Sequence, residues 1–184
     1  MTGEAGVSVT NAGEGPARGA PDRPARGILD TSVVIALRDI TDAAALPAEP
    51  LITTVTLAEL SAGPLVARDD KVRAARQAQL QEAEADFDPL PFDRASARAF
   101  GQVAASLRRA GRKTTARAYD ALIAAVAVAN GLPVYTCNAD DFDGIDGLHV
   151  VPVSVADEIS GNAKPVKTSR PGDSGPMRSG PRGR

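Results

Sequence analysis

The sequence predicts an α/β domain built on a mostly parallel sheet with helices on both faces. Three observations carry this. Short apolar runs at 27–30, 51–54, 134–136 and 149–153 alternate along the chain with longer stretches of helical period. Strands separated by helices need crossover connections, which are right-handed and leave the strands parallel. The stretch 121–129, Ala-Leu-Ile-Ala-Ala-Val-Ala-Val-Ala, has no polar face, so a helix there needs cover on both sides.

In order, residues 27–30 read as a buried strand that stops on Asp30, and residues 31–38 as a short helix. A loop with two prolines at 45–50 leads to a second strand at 51–54. Residues 55–62 read as a helix closed by Gly63-Pro64. Residues 70–86 read as a polar helix with sparse apolar positions, packed on one edge or against a partner. Pro89-Leu90-Pro91-Phe92 is a brief extended piece. Asp93 caps a helix that runs to residue 110 and stops at Gly111; Ala97, Phe100, Val103, Ala104 and Leu107 give it an apolar stripe. The apolar helix covers 117–130 and ends at Gly131 and Pro133. A strand at 134–136, an acidic loop at 138–147 and a last strand at 149–153 complete the fold.

The chain has 184 residues, a formal net charge of −2, 43% hydrophobic residues and one Cys. This length suits one domain, expected at 27–159, with an extension at each end. Residues 1–26 are rich in Gly, Ala and Pro and sum to zero charge. Residues 160–184 are Gly-, Pro-, Ser- and Arg-rich and carry +5, which leaves −7 on the domain. Both extensions are expected to be disordered. Cys137 has no internal partner for a disulfide, and no signal peptide is evident, so a cytoplasmic protein is expected. No apolar run reaches the roughly 20 residues of a membrane span.

Four polar positions stand where strands end or helices begin. Asp30 ends the first strand, Glu59 lies in the helix after the second, Asp120 opens the apolar helix, and Asn138 and Asp141 follow the strand 134–136. Each has a structural explanation when taken singly. Asp30 can cap a helix, Thr56-Leu57-Ala58-Glu59 fits a capping box, Asp120 suits a helix N-terminus, and Asn138 and Asp141 suit turns. Taken together they are a set of carboxylates with few nearby cations in sequence, and buried carboxylates need partners. A hard divalent cation with oxygen ligands is one such partner.

These segments carry a resemblance. Ile-Leu-Asp30-Thr-Ser, Leu-Ala-Glu59-Leu, Tyr-Asp120-Ala-Leu-Ile-Ala-Ala and Tyr-Thr136-Cys-Asn138-Ala-Asp-Asp141-Phe, in this order across 27–153, resemble the PIN-domain ribonucleases. Among these, the chain is most similar to the VapC-type toxins of toxin–antitoxin pairs. The resemblance implies a three-layer α/β/α sandwich and an endoribonuclease that uses Mg²⁺, or Mn²⁺ in its place. It also implies a homodimer, inhibition by a cognate antitoxin, and products with a 5′-phosphate and a 3′-hydroxyl. Asp30, Glu59 and Asp120 match the first three acids; either Asn138 or Asp141 supplies the fourth position. Thr31, Ser32 and Thr136 sit where they can hydrogen-bond these ligands or phosphate.

The chemistry left open to this chain is hydrolysis by water. No Cys–His or Ser–His pair is arranged for covalent catalysis, and the lone His149 reads as structural. The basic run ending in Arg112, Lys113 and Arg117 either binds the RNA backbone or stabilises a helix C-terminus. Few aromatics argue for contacts to a folded RNA, such as transfer RNA, over stacking on single strands. Two rivals are a catalytically silent PIN-like module and an RNA-processing nuclease outside any toxin pair. A haloacid-dehalogenase-type phosphatase needs an Asp where Ser32 stands, and a response-regulator receiver lacks its middle-strand Asp here.

Overall fold

The computed structural model describes residues 24–112 and 118–155. The expected extensions lie outside the described residues, apart from residues 24–26, of which Arg26 already opens the first strand. Lys113 and Arg117 also lie outside them.

Four short strands form one parallel sheet: β1 (Arg26–Leu29), β2 (Glu49–Leu51), β3 (Val134–Thr136) and β4 (Val150–Pro152), in the order β2-β1-β3-β4. The register sets Ile28 beside Leu51 on one side and Val134 on the other, and Tyr135 beside Val151. Successive side chains of a strand point to opposite faces. Ile28 and Val134 therefore enter one core, with Val103, Leu107, Ala124 and Val126. Leu29 and Tyr135 enter the other, with Val33, Ile52, Leu60 and Leu80. Two cores on one sheet make the expected three-layer sandwich.

The helices are α1 (Thr31–Ala36), α2 (Thr54–Leu65), α3 (Asp70–Asp86), α4 (Arg94–Arg109) and α5 (Ala118–Asn130). The α4 and α5 pair covers one face, and Ala121 and residues 123–127 of α5 are buried, as its lack of a polar face requires. Asp93 caps α4: the Ser96 N–H and hydroxyl both donate to its carboxylate and hold its pKa below the usual range. Gly111, at φ 73°, allows the left-handed turn just after α4. Only Leu80 and Ala83 of α3 are buried, so this polar helix lies against α2 with most of its surface in solvent. No helix among the described residues is long and apolar enough to cross a membrane.

The first and last strands are each shifted or trimmed by a residue at their ends, and three further boundaries differ from expectation. The second strand lies at Glu49–Leu51 because Thr53 is already the cap of α2, its hydroxyl accepting the Thr56 N–H at 3.0 Å. Thr53 also forms a parallel bridge with Leu90, which gives the extended piece near Pro89 its place beside the sheet. The helix passes through Gly63-Pro64 to Leu65; in a last turn, a proline forgoes a single backbone bond. The first helix turns to a tighter 3-10 turn at Leu37–Asp39.

Gly27 is fixed by space. A Cβ there would stand 2.4 Å from the Tyr135 ring, which is itself 2% exposed. Gly27→Ala should therefore lower stability by about 1–3 kcal/mol, measured as the urea midpoint. An unchanged midpoint would mean that the ring moves aside freely.

Candidate active site at the carboxyl end of the sheet

Asp30 is the residue directly after β1, at the carboxyl end of the sheet, where open α/β folds place their chemistry. It is 5% exposed. Its Oδ2 accepts three hydrogen bonds: from the Ser32 hydroxyl at 2.7 Å, the Thr136 hydroxyl at 3.0 Å and the Ser32 N–H at 3.4 Å. The last of these is the N-cap of α1, so the structural explanation for Asp30 holds alongside its place in the site.

Thr31 and Ser32 follow Asp30 in the first turn of α1, and their hydroxyls go to different places. Thr31, 7% exposed, donates to Glu59 Oε2 at 2.6 Å. Glu59 lies within α2, about 7–8 Å along the axis from the start of that helix at the ordinary rise per residue. It therefore serves no capping box; Thr53 does the capping. Thr136 ends β3 at 0% exposure and joins Asp30 directly. Asn138 donates its backbone N–H to the Thr136 hydroxyl at 3.0 Å, while its side chain is exposed and makes no cap bond. Asp141 is half-buried at the end of the 3-10 turn Ala139–Asp141.

Asp120 lies half-buried in the first turn of α5. A helix that feeds a parallel strand runs against the strand direction, so the start of α5 lies at the same end of the sheet as Asp30. The hydrogen bonds thus tie Asp30 to Ser32 and Thr136, a separate bond ties Glu59 to Thr31 next along the chain, and topology brings Asp120 to the same end. Among the described residues, no group of three or more His, Cys, Asp or Glu is placed to hold a metal ion. His149 precedes β4 and is exposed, at the opposite end of the sheet from Asp30.

Residues 28–148 match the PIN domain family. The chain belongs to that family. Ribonuclease VapC5 of Mycobacterium tuberculosis is 42% identical over 132 residues, which make up 71% of this chain and 95% of that protein. A chain in the crystal structure of VapBC-5, a toxin–antitoxin system of the same organism, matches with a TM-score of 0.61 at 40% identity. It covers 71% of this chain and 100% of its own length. A chain of DNA-bound VapBC from Salmonella typhimurium matches with a TM-score of 0.55 at 25% identity, over 68% of this chain and 96% of that one.

In this PIN domain the acidic loop is held from both sides. Phe142, at 2% exposure, and Ile145, at 8%, insert into the core beneath α4 and α5. Arg109 pairs with Asp146, and Arg112 bonds the Asp140 carbonyl and, at 3.3 Å, the Asp143 carboxylate. The basic run makes Arg112 an RNA contact or a helix-end cation; the structure turns its guanidinium to the loop beside Asp141. No local signal in the sequence announces the Thr31–Glu59 bond. Its partners stand 28 residues apart, and only the adjacency of α1 and α2 joins them.

Arg112→Ala should speed amide exchange across 139–147 by up to about fivefold, the equivalent of a surface pair of ~1 kcal/mol. The amides of α5 should keep their wild-type rates. Equal rates in the loop would mean that the contacts of Phe142, Ile145 and Arg109 hold it without Arg112.

Proposed function

We propose that this PIN domain is a Mg²⁺-dependent endoribonuclease, with Mn²⁺ as a substitute, and the toxin component of a type II toxin–antitoxin pair. The observation that carries the reading is Asp30: a buried carboxylate at the carboxyl end of the sheet, with every hydrogen bond on Oδ2 and Glu59 bonded to Thr31 next along the chain. The identity to a protein named as a ribonuclease supports RNA as the substrate.

The donors fit a hard cation. Asp30 Oδ1 takes none of the bonds that fill Oδ2, and every buried side-chain polar atom among the described residues has a partner, so Oδ1 reaches the surface. Mg²⁺ commonly takes one or two carboxylates and completes its shell with waters and substrate phosphate. Such a shell needs no cluster of three protein acids. We assign Asp30 and Asp120 to hold it, with Glu59 available to the ion or to its water, and Asn138 and Asp141 on the loop after β3 as further candidates.

When bound, the cation polarises the scissile phosphate and lowers the pKa of water. Glu59, oriented by the Thr31 hydroxyl, accepts the proton of the attacking water. Asp30 and Asp120 would hold the cation, and the phosphate would be positioned by its attraction to that positive charge. Asn138 and Asp141, on the loop that Arg112 holds, would hold a second cation, which would supply positive charge to the leaving oxygen. Contacts to the RNA backbone fall to Lys113 and Arg117, since Arg112 is engaged within the domain. A folded RNA such as transfer RNA suits a chain with 3% aromatic residues. The toxin–antitoxin structures among its relatives support an antitoxin partner. A homodimer acting in the cytoplasm, where Cys137 stays reduced, completes the reading.

The second reading is a catalytically silent PIN-like module, favoured by the lack of a three-acid group among the described residues. One experiment separates the two. Antitoxin-free protein should cut cellular RNA into discrete fragments with Mg²⁺ or Mn²⁺ and stop with EDTA. Asp30→Asn and Asp120→Asn should each lose roughly a hundredfold or more, as several kcal/mol of transition-state stabilisation go with the cation. A folded wild type that cuts no RNA establishes the silent module, and cleavage equal in all three proteins removes the assignment of these acids.

A further inference from the structure

The hydrogen bonds around Asp30 fix more than its position. A serine or threonine hydroxyl has one proton to donate and lone pairs to accept with. The Ser32 hydroxyl accepts the Cys137 N–H at 3.0 Å, so its proton is free to point elsewhere, and it lies 2.7 Å from Asp30 Oδ2. The Thr136 hydroxyl likewise accepts the Asn138 N–H at 3.0 Å and lies 3.0 Å from the same oxygen. A bond to a carboxylate is stronger than one between two hydroxyls. The 3.3 Å approach of Ser32 Oγ to Thr136 Oγ1 therefore carries no proton, and both protons go to Oδ2.

We propose that Ser32 is a positioning residue that commits Asp30 to binding the cation through Oδ1 alone. Without the Ser32 hydroxyl, Oδ2 loses its shortest bond and keeps only the Thr136 hydroxyl at 3.0 Å and the Ser32 N–H at 3.4 Å, so the carboxylate turns more readily about its terminal bond. With it, Oδ2 is held by a hydroxyl that is itself clamped to the backbone after β3. Ser32 thereby couples the first acid to the segment that carries Asn138. This inference rests on the metal-dependent reading above and adds the oxygen through which Asp30 acts and the side chain that selects it.

The test is Mn²⁺ affinity of the antitoxin-free full chain, read from the free-ion signal in electron paramagnetic resonance, beside thermal melting. Ser32→Thr and Ser32→Val share one shape and differ by a hydroxyl; Ser32→Ala is the smaller control. Ser32→Ala and Ser32→Val should each bind Mn²⁺ about tenfold more weakly, the usual effect of losing a hydrogen bond to a ligand. Ser32→Thr should stay near wild type, with all variants melting cooperatively. Wild-type affinity in Ser32→Ala, or Ser32→Thr as weak as Ser32→Val, overturns the role of Ser32 and leaves the metal reading standing. No Mn²⁺ bound by the wild type overturns both.

Discussion

Asp30 Oδ2 is a carboxylate oxygen in a residue only 5% exposed, and an oxygen removed from water has to receive hydrogen bonds from the protein. Ser32 and Thr136 meet that need, one from the start of α1 and one from the end of β3. The two hydroxyls then draw in the backbone N–H groups of Cys137 and Asn138. One buried oxygen thus fixes the exits of the two central strands relative to each other. Thr31, next along the chain, makes a separate hydrogen bond to Glu59 in α2.

Parallel topology makes this possible. In a sheet of order β2-β1-β3-β4, the two central strands both deliver their last residues to one end. The helix that feeds β3 begins at that end as well, and the helix after β2 starts there. Acids separated by 90 residues, such as Asp30 and Asp120, are thereby placed toward the same end of the sheet. The small residues of α5 let it pack closely against the rest of the core.

Charge is arranged on a second level. The acidic loop after β3 would repel itself if left alone. Phe142 and Ile145 anchor it in the core, while Arg109 and Arg112 neutralise part of it at the surface. Surface pairs of this kind contribute little singly, so the buried Phe142 sets where the loop lies and the arginines reduce the repulsion within it. The consequence for function is that these two arginines neutralise their own loop, which lowers the net attraction they offer a polyanion.

The sequence by itself determined the alternation of strands and helices, the parallel sheet and the acids at its edge. These follow from local periodicity, from caps such as Asp93, and from the absence of a polar face on α5. It also held the resemblance that the PIN domain match then established, because Asp30, Glu59 and Asp120 stand in short recognisable segments. Tertiary structure decided which hydroxyl meets which acid. The segment Thr56-Leu57-Ala58-Glu59 fits a capping box, yet Thr53 is the cap and Glu59 bonds Thr31. Arg112 stands in a basic run, yet its guanidinium meets Asp143 across 31 residues. A side chain's local options are written in its neighbours along the chain. The choice among them depends on partners that only folding brings within 3 Å or so, the reach of a hydrogen bond.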